Sequence, residues 1–194
     1  MISISRLRFD PADPLTDRAF MRLCRANPDL RLERTAGGEL IVMTPAGADS
    51  SGRNLKIAGR LYVWSEANEL GITFDSSAGF TLPNGAIRSP DASWIVRARW
   101  EALTPEDRQG FAPICPDFVV ELRSPADRLR DLRAKMAEYR IEGARLGWLI
   151  DPKRKMVEIY RPRRRVEVLT VPAALSGEDV LPGFVLDLKG ILEP

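Results

Sequence analysis

Histidine is missing from all 194 residues of the sequence. Its absence excludes Ser-His-Asp and Cys-His catalysis, histidine general bases and histidine zinc ligands. Any chemistry must therefore use carboxylates, lysine, arginine, tyrosine, hydroxyls or an oxygen-ligated metal. Cysteine is scarce as well, and Cys24 and Cys115 lie far apart. This spacing is typical of two reduced thiols in a cytosolic protein and does not suit a disulfide framework or a zinc cluster.

Long hydrophobic runs and a strong excess of one charge sign are also missing. No stretch approaches the ~20 apolar residues of a membrane span, and the first residues lack the apolar region of a signal peptide. We therefore expect a cytoplasmic protein with no membrane segment. Lys and Arg total 29 and Asp and Glu total 27, a net charge of +2, so nucleic-acid binding would have to depend on local patches.

What is present is a pattern of helices alternating with strands. The unit formed by a strand at 118–123, a helix at 127–142 and a strand at 147–150 is typical of a crossover between parallel strands. It favours an α/β fold with a mixed sheet flanked by helices. Further elements are expected as helices over 15–26 and 49–70, the second capped by residues 49–51 and stopped by Gly71, and as hairpins over 30–43 and 156–171.

Two acidic residues are candidates for chemistry. Alternation along the strand at 118–123 places Glu121 and Arg123 on one face and three apolar residues on the other. Asp91 opens a predicted strand 30 residues earlier, which is enough chain for a neighbouring strand to bring both carboxylates together. The alternatives are a solvated ion pair at the strand edge for Glu121 and Arg123, and a turn-capping role for Asp91.

Lys135 and Asp117 are open to more than one interpretation. Lys135 could form an exposed i,i+4 pair with Asp131. It could instead lie against the carboxylates, because its helix folds back over the preceding strand, and there orient or deprotonate a water. Asp117 shares the face of Glu121 but lies about 13 Å away at roughly 3.3 Å per residue. Since Mg²⁺–oxygen bonds are about 2.0–2.1 Å long, we expect Asp117 to be structural.

Several motifs resemble those of a known nuclease family. Pro90-Asp91 followed by Glu121-Leu122-Arg123 resembles the PD-(D/E)XK signature of restriction-endonuclease-like nucleases. The chain as a whole resembles the Uma2 family of restriction endonucleases, in the order of its motifs and over about residues 15–188. The runs that carry this resemblance are GELIVMTP at 38–45, RSPDAS at 88–93, PDFVVELRSP at 116–125, KMAEY at 135–139 and GWLIDP at 147–152.

The resemblance implies one restriction-endonuclease-like domain over residues 1–194, with a mixed β-sheet core, flanking helices and extra β-hairpins. It implies hydrolysis of DNA phosphodiester bonds with Mg²⁺ or Mn²⁺, held by Asp91, Glu121 and the Leu122 carbonyl. Arg123 occupies the position of the signature lysine. Because arginine stays protonated, it cannot act as a base, although it could hold a phosphate or stabilise the transition state. Lys135 would then be the displaced lysine.

Partners and additional site residues follow from the same resemblance. DNA would be the substrate, and a homodimer is expected because cutting both strands needs two sites. Glu39 could be an additional acid near the site. Arg128 and the triplet Arg163-Arg164-Arg165 could bind phosphates in a salt-dependent manner, or could simply be solvated. The Arg123 departure keeps a rival open, a non-catalytic module that binds nucleic acid or protein, and a structural or toxin-like partner protein is a third possibility.

Overall fold

The computed structural model describes residues 5–7, 15–43 and 46–192. Thr44 and Pro45, the last two residues of the run at 38–45, lie outside the described residues. The helices are α1 (Asp17–Ala26), α2 (Ala48–Asn68), α3 (Arg97–Glu101), α4 (Pro105–Gln109) and α5 (Leu129–Glu142). The strands are β1 (Ser5–Leu7), β2 (Arg31–Arg34), β3 (Leu40–Met43), β4 (Gly71–Asp75), β5 (Phe80–Thr81), β6 (Ile87–Arg88), β7 (Ala92–Val96), β8 (Phe118–Leu122), β9 (Leu146–Asp151), β10 (Met156–Tyr160), β11 (Glu167–Thr170), β12 (Ala174–Ser176) and β13 (Val185–Asp187).

Within the described ranges the strands form three sheets. The largest has six strands in the order β11-β10-β9-β8-β7-β4, with β8 and β9 parallel and the other neighbours antiparallel. A five-stranded antiparallel sheet has the order β1-β3-β2-β6-β5, and β12 pairs with β13. The predicted mixed sheet with flanking helices and extra hairpins is therefore confirmed.

Strand β8 lies between β9 and β7, and buried apolar residues cover both of its faces. Phe118, Val120 and Leu122 belong to one buried cluster, whereas Val119 belongs to another on the opposite face. Phenylalanine and valine suit a pleated surface packed on both sides. The predicted alternation is confirmed, and Glu121 consequently lies on the Val119 face, where α5 packs.

Helix α5 lies close against this sheet. Met136 and Tyr139 are fully buried, and the helix stops at Gly143, whose φ of 124° is a conformation that side chains disfavour. A Cβ on Gly147 of β9 would lie 2.5 Å from the Met136 Cε. This close approach brings the preceding residue, Lys135, near β8.

Helix α2 differs from its prediction at both ends. It begins at Ala48 after Gly47 and has no side-chain cap, so the expected cap at residues 49–51 is wrong. It ends through Glu69 in the left-handed region, and Gly71 is the first residue of β4. A Cβ on Gly71 would lie 2.3 Å from the Ile95 carbonyl oxygen. The glycine is thus required by a close strand contact and not by the helix end.

The pairing of β2 with β6 connects the smaller sheet to the larger one. Arg34 is paired with Ile87 in this antiparallel contact, and the chain from β6 continues through Ser89 and Pro90 directly into β7. Strand β2 therefore lies near the end of the larger sheet at which β7 begins and β8 ends. None of the helices in the described ranges is long and apolar enough to cross a membrane.

Candidate active site

Asp91 and Glu121 approach each other across the antiparallel pair β7–β8. Ala92 is paired with Val120, so Asp91 and Glu121 are the next residues at this end of the ladder. The Asp91 amide donates to the Val120 carbonyl at 3.0 Å, and the Leu122 amide donates to Asp91 Oδ2 at 2.8 Å. Since opposed residues of an antiparallel pair share a face, the two carboxylates lie on the same side of the sheet.

Glu121 is held by two side chains of α5. Its side chain is buried, and Lys135 Nζ lies 2.8 Å from Oε1. The Tyr139 hydroxyl donates to the same oxygen at 3.2 Å. The Lys135 side chain is only 11% exposed, so the structure places it against the carboxylates and not in an exposed pair with Asp131.

A third carboxylate, Glu33 of β2, joins this cluster. Its Oε1 lies 2.7 Å from Lys135 Nζ and accepts the Ser89 amide at 3.0 Å, and its Oε2 lies 3.2 Å from Arg88 Nη1. Sequence reasoning missed Glu33. The available signal was a charged residue inside a short strand, but only the β2–β6 pairing, which joins distant segments, brings it to Lys135.

The charges of these groups perturb one another strongly. Burial raises the pKa of Glu121 to about 8, and the charges of Asp91 and Glu33 add to that rise while Lys135 opposes it. Burial also raises the pKa of Asp91, against the opposing effect of the Leu122 amide and of Lys135. The positive charge near Asp91 and Glu121 is therefore too small to let both carboxyls ionise in their usual pH range. Such raised pKa values are typical of functional sites.

Lys135 and Glu33 instead favour their charged forms, because each lies beside side chains of opposite charge. Burial alone would lower the pKa of Lys135, but the carboxylates of Glu121 and Glu33 outweigh burial and raise it. Burial alone would raise the pKa of Glu33, but Lys135 and Arg88 outweigh it and hold that pKa below its usual value. Lys135 is therefore a protonated, fixed cation in this arrangement.

Arg123 and Asp117 occupy the two ends of β8. Arg123 follows the strand at the site edge, where its Nη1 donates to Asp151 Oδ2 at 2.7 Å and its Nε donates to the Asp127 carbonyl at 3.4 Å. Asp117 precedes the strand, accepts the Val96 amide at 3.0 Å and pairs with Arg99 at 2.9 Å. These contacts agree with a structural function for Asp117.

The remaining predicted site residues are Glu39, Arg128 and the arginine triplet at 163–165. Glu39 is half-buried at the turn before β3, where its amide donates to Thr35 Oγ1 at 3.0 Å. Arg128 is exposed immediately before α5. The arginine triplet 163–165 is exposed in the β10–β11 turn, beyond the Tyr160–Gly147 pair. Tyr160 and Gly147 are level with Val119 of β8, and the triplet lies further along the chain, past the end of the sheet opposite to the acids, so the structure does not bring it to them.

The donor atoms present fit a hard divalent cation of the magnesium type. Asp91 and Glu121 would supply carboxylate oxygens to such a cation, and the Leu122 amide and the Tyr139 hydroxyl hold the two side chains in place. Among the residues described, no group of three or more His, Cys, Asp or Glu side chains is arranged to hold a metal. A pair of carboxylates suits Mg²⁺, which binds through one or two carboxylates and keeps several waters, whereas zinc sites usually include histidine or cysteine ligands.

The fold of this chain is that of a solved structure, and its sequence matches one protein family. The chain superposes on a solved structure described as "a putative nuclease belonging to DUF820" from Anabaena variabilis, with a TM-score of 0.74 and 23% sequence identity over 92% of this chain and 98% of that one. At this identity the likeness establishes the fold. The chain belongs to the Uma2 family, described as "Putative restriction endonuclease", whose family model matches residues 17–189. No curated protein matches it.

Proposed function

We propose that this chain is a metal-dependent endonuclease that hydrolyses phosphodiester bonds of DNA at the cluster of Asp91, Glu121 and Lys135. The observation that carries the proposal is the convergence of two carboxylates, Asp91 immediately before β7 and Glu121 in β8, on one face of the sheet, with Lys135 Nζ 2.8 Å from Glu121. Membership of the Uma2 family, with its description "Putative restriction endonuclease", supports it. Two acids beside a lysine at a strand end are the components that metal-assisted phosphoryl transfer needs.

Asp91 and Glu121, with the Leu122 carbonyl, would hold Mg²⁺ or Mn²⁺. The bound cation would supply a lowered pKa for a coordinated water and neutralise charge on the phosphate. The raised pKa of Glu121 supports this assignment, because a divalent cation would offset the negative charge that Lys135 alone does not balance.

Lys135 would orient the attacking water and stabilise negative charge on the phosphate. It is held by Glu33 and Glu121 at 2.7 Å and 2.8 Å, so its position is fixed before substrate binds. Its raised pKa keeps it protonated, which favours a donor function over that of a general base. Arg123 is anchored by Asp151 and would contribute positive charge at the same edge.

Cleavage of supercoiled plasmid with Mg²⁺ or Mn²⁺ tests this function. The wild type should nick or linearise the DNA, EDTA should stop it, and Asp91→Asn and Glu121→Gln should each abolish it. Asp117→Asn is the matched control, since it removes a buried carboxylate at the far end of the same strand. Cleavage that persists in Glu121→Gln would contradict the proposal.

Inactivity of the folded wild type towards plasmid would favour the non-catalytic binding module. A homodimer would supply the two active sites that duplex cleavage requires. Size-exclusion chromatography with light scattering measures the oligomeric state independently of activity.

A further inference from the structure

Strand β2 places a second charged side chain on the same face as Glu33. Alternation along the strand puts Arg31 and Glu33 on one face and Leu32 and Arg34 on the other, and Leu32 lies in a separate buried cluster. Glu33 contacts Lys135 and the Ser89 amide, so this face of β2 is directed towards the acids. Arg31 therefore points towards the same region from two residues earlier in the strand.

The register places Arg31 beside the first of the two acids. Arg34 is paired with Ile87 in an antiparallel contact, and three further steps along both chains bring Arg31 level with Pro90, the residue before Asp91. The electrostatics agree with this position. Burial raises the pKa of Asp91, and the positive charge of Arg31 opposes that rise together with the Leu122 amide and Lys135.

Arg31 also has a buried donor with no acceptor. Its Nε is inaccessible to solvent and makes no hydrogen bond. The neighbouring arginines are different, because Arg88 contacts Glu33 and Glu138, and Arg123 contacts Asp151 and the Asp127 carbonyl. A buried guanidinium donor without a partner is unfavourable, and in native structures such a group requires an explanation.

We propose that Arg31 is a phosphate-binding residue of this site, donating from its guanidinium to a non-bridging oxygen of the phosphate that is cleaved. The proposal rests on the nuclease function proposed above and adds a contact that sequence motifs did not suggest. A phosphate oxygen is a suitable acceptor for this donor, since arginine matches phosphate in shape and charge. A phosphate held beside Asp91 would also lie next to the two carboxylates and Lys135.

Two arms of one experiment test Arg31, with Arg22→Met as the matched control for loss of one positive charge. Arg22 is exposed on α1. In the first arm, plasmid cleavage is followed under saturating Mg²⁺, and Arg31→Met should lower kcat by about 10- to 100-fold, the usual effect of removing one such donor. Arg31→Lys keeps the charge and should retain part of the rate, and Arg22→Met should match the wild type.

The second arm measures phosphate binding without catalysis, as the rise in melting temperature that inorganic phosphate produces. The wild type and Arg22→Met should be stabilised, and Arg31→Met should not. Equal stabilisation of the wild type and Arg31→Met overturns the proposal, even if the wild type cleaves no DNA and the nuclease function has failed.

Melting temperatures without phosphate separate a contact with substrate from a structural function. Arg31→Met should melt close to the wild type, because it loses the favourable charge of Arg31 beside Asp91 but also removes a buried donor that has no partner. If the cleavage rates of Arg31→Met and Arg31→Lys fall only as much as the fraction of folded protein falls, Arg31 has a structural function and the proposal is overturned. Wild-type kcat in both variants would overturn it as well.

Discussion

Replacing Glu121 by glutamine should make the metal-free protein more stable at high pH. The carboxyl of Glu121 has a pKa of about 8 in the folded protein, against 4.5 for an unperturbed glutamate, chiefly because it is buried. Glutamine is uncharged at every pH and its carbonyl oxygen can still accept from Lys135 and Tyr139. The substitution therefore removes the cost of ionising a buried acid and keeps its hydrogen bonds.

The sign and size of the effect follow from linkage between folding and proton binding. Between pH 4.5 and pH 8 the folded protein keeps a proton on Glu121 that the unfolded chain has lost, so wild-type stability falls as pH rises through this window. The two pKa values differ by about 3.5, and each unit corresponds to about 1.4 kcal/mol. That difference is the full amplitude, so the stability of Glu121→Gln relative to the wild type should rise by roughly 4 kcal/mol between pH 5 and pH 8.5.

Urea unfolding in EDTA at pH 5 and pH 8.5 measures this difference. Glu158→Gln is the control, since Glu158 is also buried but is paired with Arg133 through a 2.8 Å contact to Nε. That variant should be less stable than the wild type at both pH values. A free-energy difference between Glu121→Gln and the wild type that is the same at both pH values would refute the reasoning.

Two further substitutions test the packing and charge of the structure. Lys135→Met should lower the free energy of unfolding by about 3–5 kcal/mol at pH 8 in EDTA, because Glu33 and Glu121 lose their shared cation; an unchanged urea midpoint would contradict this. Gly71→Ala should destabilise by at least 1–3 kcal/mol, roughly the cost of overpacking, because its Cβ would meet the Ile95 carbonyl and the Trp94 ring. Gly59→Ala in α2 meets nothing within 4 Å and should be neutral or slightly stabilising, so equal melting temperatures for the two glycine variants would be the contrary result.

Much of the fold was accessible from the sequence because local patterns dictate it. The crossover from β8 through α5 to β9 follows from an apolar strand, a helix with a buried face and the stop at Gly143. The same alternation predicted that Glu121 faces away from the cluster of Phe118, Val120 and Leu122. These features depend on neighbours in the chain, which is why periodicity captures them.

Contacts between distant segments were harder to predict. Glu33 reaches Lys135 only because β2 pairs with β6, and a single pair, Arg34 with Ile87, fixes that register. The start of α2 was misjudged because Asp49 is a good capping residue by type, whereas here it lies inside the first turn and pairs with Arg53. The pairing of Arg123 with Asp151 likewise depends on the parallel register of β8 and β9.

The most direct test of the metal-dependent site is an anomalous diffraction experiment on crystals soaked in Mn²⁺. The account predicts one anomalous peak between Asp91 and Glu121, with carboxylate oxygens of both residues coordinating the ion, and no peak there in Glu121→Gln crystals. A peak elsewhere, or a fully soaked crystal with no ion between these two carboxylates, would contradict it.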